Sequence, residues 1–246
     1  MTIFDFLVAL AAIVAGAIAA VTGFGIGSIL TPILSVKFGT QLAVAAVSIP
    51  HLVATFVRFW MLRRDVDRRV LITFGIMSAI GGLAGALLHS VVSSPALTLA
   101  FAGLLIFAGL SAMTGYARRI RFGSRMAWIA GMLSGMLGGL VGNQGGIRSA
   151  ALLGFRLERQ AFVATGTAIA LLVDGARLPV YLVTDGREML SISSLIALST
   201  IGCLTGTFLG TTVLQKLPEH TFTRIVGVVI FGLGVFMLRR AVQGHG

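Results

Sequence analysis

The chain has 246 residues, of which 57% are hydrophobic and 11% are charged, and its mean hydropathy is +0.99. A water-soluble domain needs more polar residues to cover its core, so this composition excludes one. The formal net charge of +11 comes largely from basic clusters in short loops between apolar runs, which is a membrane-topology signal and does not indicate nucleic-acid binding.

Three long runs carry no charged side chain: between residues 5 and 37, from 70 to 117, and from 189 to 215. A helix of about 20 apolar residues crosses a bilayer, and each run reaches that length. The runs are apolar on every side, whereas barrel strands alternate apolar and polar residues. The sequence therefore predicts an all-α polytopic membrane protein.

The first membrane element, residues 3–36, is interrupted by the glycines of VTGFGIGS and by Pro32. It has no basic start and contains Asp5, so we expect it to stay in the membrane and not to be a cleaved signal peptide. Three spans follow, near residues 41–61, 70–91 and 95–116.

The second half repeats this order, with a broken segment at 126–155 and spans near 160–184, 189–215 and 218–238. An offset of 119 residues superimposes Gly23 on Gly142 and Arg58 on Arg177. We interpret the chain as two homologous repeats, 1–117 and 126–241, joined by a basic cytoplasmic linker at 118–125. Together they form one membrane domain of about eight membrane segments.

Two topologies fit the broken segments. A segment that enters and returns on one side leaves three spans per repeat, so the repeats would be inverted; a single unwound span leaves four, so they would be parallel. Inversion keeps more basic residues in the cytoplasm, and we favour it. The basic residues assigned to the first cytoplasmic loop are Arg58, Arg63, Arg64, Arg68 and Arg69.

A glycine break frees backbone hydrogen-bonding groups that lipid cannot satisfy, so both breaks should face the protein interior. Free N–H groups at the ends of half-helices favour an anion. The predicted substrate-binding residues are Thr22, Gly23, Phe24, Gly25, Gly27 and Ser28 in the first break, and Gly142, Asn143, Gln144, Gly145, Gly146 and Arg148 in the second.

Each of the polar residues also has a structural interpretation. The amides of Asn143 and Gln144 could do no more than satisfy the broken backbone. The guanidinium of Arg148 suits an oxyanion, but a long basic side chain can also extend to the membrane surface.

The spans after the breaks carry the candidates for gating or coupling: His51, Arg58, Asp174 and Arg177. His51, Thr55 and Arg58 lie on one helical face, and Asp174 can pair with Arg177 three residues later. A carboxylate inside a span indicates a functional site by default, although a structural Asp174–Arg177 ion pair is the alternative.

Enzyme chemistry finds no support in the sequence. The four histidines have no metal-ligand spacing, and no CxxC, HExxH or nucleotide-binding motif is present. The single cysteine, Cys203, lies in an apolar run and is expected to pack there. We expect no enzyme activity, no cofactor and no metal.

The doubled motif, GFGIGSILTP from Gly23 to Pro32 and GGLVGNQGGIRSAALLG from 138 to 154, resembles the TauE/SafE family of membrane permeases, also called sulfite exporters. The resemblance covers essentially the whole chain. It implies export of small sulfur-containing anions such as sulfite or sulfonates, driven by an ion gradient. Ala151 replaces the proline in the second copy, so the two halves need not contribute equally.

We therefore expect a secondary transporter of small anions in the bacterial cytoplasmic (inner) membrane, working by alternating access between the repeats. The coupling ion is H⁺ or Na⁺, and Gly-xxx-Gly ridges permit a homodimer without requiring one. The alternatives are a passive anion channel and a non-transporting membrane partner of another complex.

Overall fold

The computed structural model describes residues 2–92, 94–115, 124–143, 145, 148, 151–152, 155, 157–213 and 219–243. Helices and their connecting turns make up these ranges. The helices are α1 (Ile3–Thr22), α2 (Ile26–Leu62), α3 (Arg68–His89), α4 (Ser94–Thr114), α5 (Ser124–Val141), α6 (Arg159–Thr184), α7 (Gly186–Ser191), α8 (Ser193–Val213) and α9 (Glu219–Val242).

Seven of these helices are long and apolar enough to cross a membrane, and α5 contributes a shorter apolar stretch, Met126–Val141. Their lipid-facing sides are apolar: large hydrophobic residues such as Phe6, Ile72 and Ile201 are exposed to the surroundings of the protein. The chain is a multi-pass helical membrane protein.

The first broken segment reverses the direction of the chain. Helix α1 ends at Gly23, which has a φ of 78°, and α2 starts after Gly25, which has a φ of 133°. Glycine accepts these positive φ values without steric cost. The Phe4 ring at the start of α1 meets the Phe38 ring edge-on, with centroids 6.2 Å apart. Residues 26–38 therefore run back along α1.

Helix α2 contains a second break. In the sequence analysis this position lies between the first membrane element, residues 3–36, and the span near residues 41–61. Its 37 residues would make a rod of about 55 Å if they were straight, well beyond a hydrocarbon core of about 30 Å. Gly39, with φ 78° and ψ 163°, breaks it instead. Residues 26–38 form the returning arm of the hairpin, and residues 40–62 form a span.

The second broken segment begins in the same way. Helix α5 ends at Gly142, which has a φ of 72° and donates its N–H to the Gly138 carbonyl at 3.0 Å. Beyond the break, Ala151 and Leu152 share a buried cluster with Ala130 on α5. Ala151 and Leu152 thus lie beside the first half of α5.

Small residues allow the closest helix contacts, as the Gly-xxx-Gly spacings predict. The most extensive pairs are α1 with α8, α3 with α5, and α4 with α9. A Cβ added at Gly135 would overlap the carbonyl of Ser78, and one at Gly206 would overlap that of Ile13. These glycines hold backbones together, which is the usual basis of helix association in lipid.

The structure corrects one predicted boundary in the second half. The span predicted for residues 189–215 begins at Ser193, because the short helix α7 ends at Ser191 and a turn at Ile192 separates the two. The last span, predicted from residue 218, corresponds to α9, and residue 218 itself lies outside the described residues. Most of the predicted linker, residues 118–123, lies outside the described residues.

Candidate functional site

The two glycine breaks are in direct contact. A Cβ added at Gly27 would overlap the carbonyl oxygen of Gly142, and one added at Gly145 would overlap the Phe24 side chain. Only glycine permits this approach at Gly27 and Gly145. Gln144 and Gly146, which the sequence analysis also assigned to the second break, lie outside the described residues.

Arg148 joins the two breaks. Its side chain is 2% exposed, and its Nη2 donates a hydrogen bond to the Gly23 carbonyl at 3.1 Å. A side chain in this position does not reach the membrane surface. Its Nη1 is buried and has no hydrogen-bond partner within the described part of the chain.

Arg58 and Arg177 make matching contacts with the two broken helices. Arg58 Nη1 donates to the carbonyl of Ala19, and Arg177 Nη1 donates to the carbonyl of Gly138 at 2.7 Å. The same carbonyls accept the N–H groups of Gly23 and Gly142 at 2.9 and 3.0 Å. Each arginine thus caps the C-terminal end of a helix, where cations are favoured.

This position corrects the assignment of Arg58 to the first basic loop. Arg58 is 3% exposed and lies on α2, where its Nη2 also donates to the Thr55 hydroxyl at 3.0 Å. It therefore belongs to the interior site, and the basic loop begins at Arg63.

Asp174 connects α6 to α2. Its Oδ2 lies 2.6 Å from His51 Nδ1, and its Oδ1 accepts from Arg177 Nε at 3.0 Å and from Nη2 at 2.8 Å. Thr55 Oγ1 lies 3.5 Å from the same histidine nitrogen. The predicted Asp174–Arg177 pair is present, and His51 extends it to the facing helix.

The remaining predicted residues differ in their bonding. The Thr22 hydroxyl accepts from the Phe24 N–H at 3.2 Å and so serves the turn of the first break. Ser28 is buried. Asn143 is buried too, and its Nδ2 has no hydrogen-bond partner within the described residues.

The site carries an excess of buried positive charge. Arg58, Arg148 and Arg177 lie around the buried carboxylate of Asp174, and Arg148 interacts electrostatically with Asp174, Arg58 and Arg177. Arg58 Nε is a second buried guanidinium nitrogen without a partner among the described residues. Buried charge of one sign needs a counter-charge, so this arrangement suits an anion.

A metal ion has no comparable set of ligands. Within the described ranges, no group of three His, Cys, Asp or Glu residues is placed to hold one. A cavity of about 420 Å³ lies elsewhere, among apolar residues of α2, α6, α7 and α8 that include Ile49 and Ile196.

Some of the participating groups were missed at the sequence level. The carbonyls of Ala19 and Gly138 receive the arginines, and the Tyr181 hydroxyl donates to the Gly139 carbonyl. The offset of 119 residues superimposes Ala19 on Gly138, so this offset in the sequence was the signal that could have found the two carbonyls.

The family model described as sulfite exporter TauE/SafE matches residues 8–237. The chain belongs to this family. The matched range includes both glycine breaks and the charged residues described above. TauE/SafE is a family of membrane transporters rather than of enzymes. No curated protein and no solved structure matches the chain.

Proposed function

We propose that this TauE/SafE protein is a secondary transporter of small anions, such as sulfite or sulfonates, that binds its substrate between the two glycine breaks. The observation that carries the proposal is the position of Arg148. Arg148 lies in the second break, and its guanidinium donates a hydrogen bond to the Gly23 carbonyl of the first break. Its Nη1 is buried and has no hydrogen-bond partner in the described part of the chain.

The donors near the breaks support an oxyanion as the substrate. Arg148 Nη1, Arg58 Nε and Asn143 Nδ2 are buried and have no partner among the described residues. Leaving such donors unsatisfied costs about 1–3 kcal/mol each, and more when they are charged. An anion with several oxygens would accept from these donors and would offset the excess of arginine charge.

The helix directions support inverted repeats. Helix α5 runs parallel to α3, since Gly131 contacts Phe74 and Gly139 contacts Gly82. Helix α6 starts on the same side, where Thr165 Oγ1 accepts from the Asp67 N–H at 2.9 Å. It follows that α8 starts on the opposite side.

Helix α1 runs parallel to α8, because Ala12 contacts Gly202 and Ala17 contacts Gly210. The first hairpin therefore enters from the side opposite to the second. Each hairpin arm also packs on the second span of the other repeat, α1 on α8 and α5 on α3. This exchange agrees with inverted repeats of residues 1–117 and 126–241, linked by residues 118–125.

The charge distribution gives the orientation. The side on which α3 and α5 begin carries the exposed Arg63, Arg64, Arg68 and Arg69. Basic loops favour the cytoplasm, so we place this side of the protein in the cytoplasm. The start of α1 and the end of α9 then lie on the outer side of the membrane. The membrane would then be a bacterial cytoplasmic membrane, as the transporter family suggests.

A transporter agrees better than a channel with the closure of the site. Arg148 and Arg177 are each 2% exposed, and Asp174 is fully buried. A passive channel needs a continuous polar path, whereas alternating access includes an occluded state. The His51–Asp174 contact joins α2 to α6 and is the candidate gate between the repeats.

Reconstitution tests this function. Purified protein in liposomes loaded with unlabelled sulfite should exchange it for external labelled sulfite, and excess sulfonate or sulfate should compete. Protein-free liposomes measure passive leakage. Exchange no faster than that leakage for sulfite, sulfonates and sulfate alike would contradict the proposal.

A further inference from the structure

We propose that the coupling ion of this transporter is a proton, bound by His51 in its contact with Asp174. The inference rests on the proposed anion transport and adds the cation that moves with the anion. It follows from the placement of the pair, from the chemistry of its surroundings and from the charge of the anion site.

The His51–Asp174 contact bridges the two repeats. His51 belongs to the span at residues 40–62 of the first repeat, and Asp174 belongs to α6 of the second, with 2.6 Å between Nδ1 and Oδ2. Both side chains are buried. Histidine changes its charge between about pH 5 and 8, so a proton at this contact alters the bond that holds the repeats together.

The surroundings exclude a metal cation as the coupling ion at this pair. A hard cation needs several oxygen ligands. Oδ1 of Asp174 already accepts from Arg177 Nε, and its Oδ2 lies 2.6 Å from His51 Nδ1, so neither oxygen is vacant for a metal cation. Arg58 and Arg148 add positive charge nearby. A proton needs no vacant ligand, because an imidazole nitrogen already present accepts it.

Few other charged or titratable groups act on the pair. Arg58 on α2 and Arg177 on α6 interact with both the histidine and the anion site, and Arg148 interacts with Asp174. Cys203 on α8 interacts with Arg58. On α1 the acidic residue is Asp5, which caps the start of its own helix. Tyr181 on α6 interacts with both Asp174 and Arg177. Among these groups, histidine is the type of side chain that ordinarily changes its charge between about pH 5 and 8.

Protonation and anion binding favour each other. With a neutral His51, the three buried arginines exceed Asp174 by two charges; protonation raises the excess to three and strengthens attraction for an anion. Linkage is reciprocal, so the bound anion strengthens proton binding by the same factor. Anion and proton then cross together in either direction, and in liposomes an acidic exterior drives the anion inward.

The test compares two substitutions at one position in the full-length protein. His51→Gln removes the titrating group, and His51→Lys keeps a fixed positive charge opposite Asp174. Labelled sulfite exchange is measured at equal internal and external pH, across the range in which histidine titrates. Accumulation is then measured with an acidic exterior, and passive entry is subtracted with protein-free liposomes.

For the unsubstituted protein, we expect the KM for sulfite to rise as the pH rises. This rise should exceed that of either variant by about tenfold, which is a typical coupling factor. Both variants should follow only the titration of sulfite itself, with the lysine variant at low KM and the glutamine variant at high KM. Neither should accumulate sulfite beyond the protein-free control.

His89→Gln is the matched control, because His89 is also a buried histidine, but its ring contacts the Leu140 carbonyl and the Tyr181 ring rather than Asp174. It should keep the pH dependence of the unsubstituted protein. Accumulation by His51→Gln equal to that of the unsubstituted protein would overturn the inference. If the unsubstituted protein exchanges sulfite but does not accumulate it with an acidic exterior, proton coupling is also overturned, although the proposed anion transport is retained. Absence of any exchange would contradict the transport itself.

Discussion

Arg148 in the second glycine break donates a hydrogen bond to the carbonyl of Gly23 in the first, across 3.1 Å. The two residues lie 125 positions apart in the sequence and belong to different halves of the chain. Helix α1 ends at Gly23, so the Gly23 carbonyl is available to a side chain and accepts from Arg148 Nη2. The other terminal nitrogen, Arg148 Nη1, is the central donor of the proposed anion site.

Removing Arg148 should abolish transport. Arg148→Ala is expected to reduce sulfite exchange at least about 30-fold, because truncating a buried hydrogen-bonded charge contact costs about 2–5 kcal/mol. Arg148→Lys keeps the charge but loses the fork, so it should retain only a fraction of the rate. Arg69→Ala removes an exposed arginine and serves as the control with normal exchange. Normal exchange by Arg148→Ala would exclude this residue from the site.

Contact between the breaks should depend on Gly27. The Cβ of Gly27→Ala would overlap the Gly142 carbonyl, so the breaks must separate. Such overpacking typically costs about 1–3 kcal/mol and should lower the Tm of the purified protein and its exchange rate. Gly103→Ala is the matched control, since nothing lies within 4 Å of its added Cβ. Equal melting temperatures for the two variants would contradict a tight contact between Gly27 and Gly142.

Much of this arrangement follows from the sequence, but not all of it. Gly23 and Gly142 interrupt long apolar runs, and both take positive φ values where the helices end. Whether the chain then continues or returns does not follow, because a hairpin and a long span have the same hydropathy. The Phe4–Phe38 contact, which reveals the hairpin, depends on packing.

Arg58 marks another limit of sequence reasoning. It lies five residues before Arg63, at the end of an apolar run. At such a position the sequence pattern is the same whether the arginine lies in a loop or in the protein interior. Its contact with Ala19 comes from a helix that precedes it by 39 residues. The His51–Asp174 contact joins residues 123 apart, so no local periodicity brings them together.

Asp174 should be important for stability because it is the acidic partner of two buried groups. Asp174→Ala leaves Arg177 without its carboxylate, and breaking a buried pair in this way costs about 3–5 kcal/mol. We expect a large fall in Tm for Asp174→Ala. The double variant Asp174→Ala/Arg177→Met should recover part of that loss, as coupled neighbours are non-additive. Fully additive losses would mean that the two side chains do not stabilise each other.

The inverted arrangement predicts opposite accessibility for two labelled positions. In a Cys203→Ser background, Arg64→Cys should react with an impermeant thiol reagent only from the cytoplasmic side, and Gln243→Cys only from the outside. Both residues lie at helix ends within the described ranges. Labelling of both cysteines from the same side would contradict the inverted repeats and favour parallel ones.

The most direct test of the central claim is the melting temperature of the purified protein with and without sulfite. A ligand that binds the folded state at about 100 times its Kd stabilises it by about 2.7 kcal/mol. We expect sulfite to raise the Tm of the unsubstituted protein and of Arg69→Ala, but to leave the Tm of Arg148→Ala unchanged. An equal rise in Arg148→Ala would contradict an anion site between the glycine breaks.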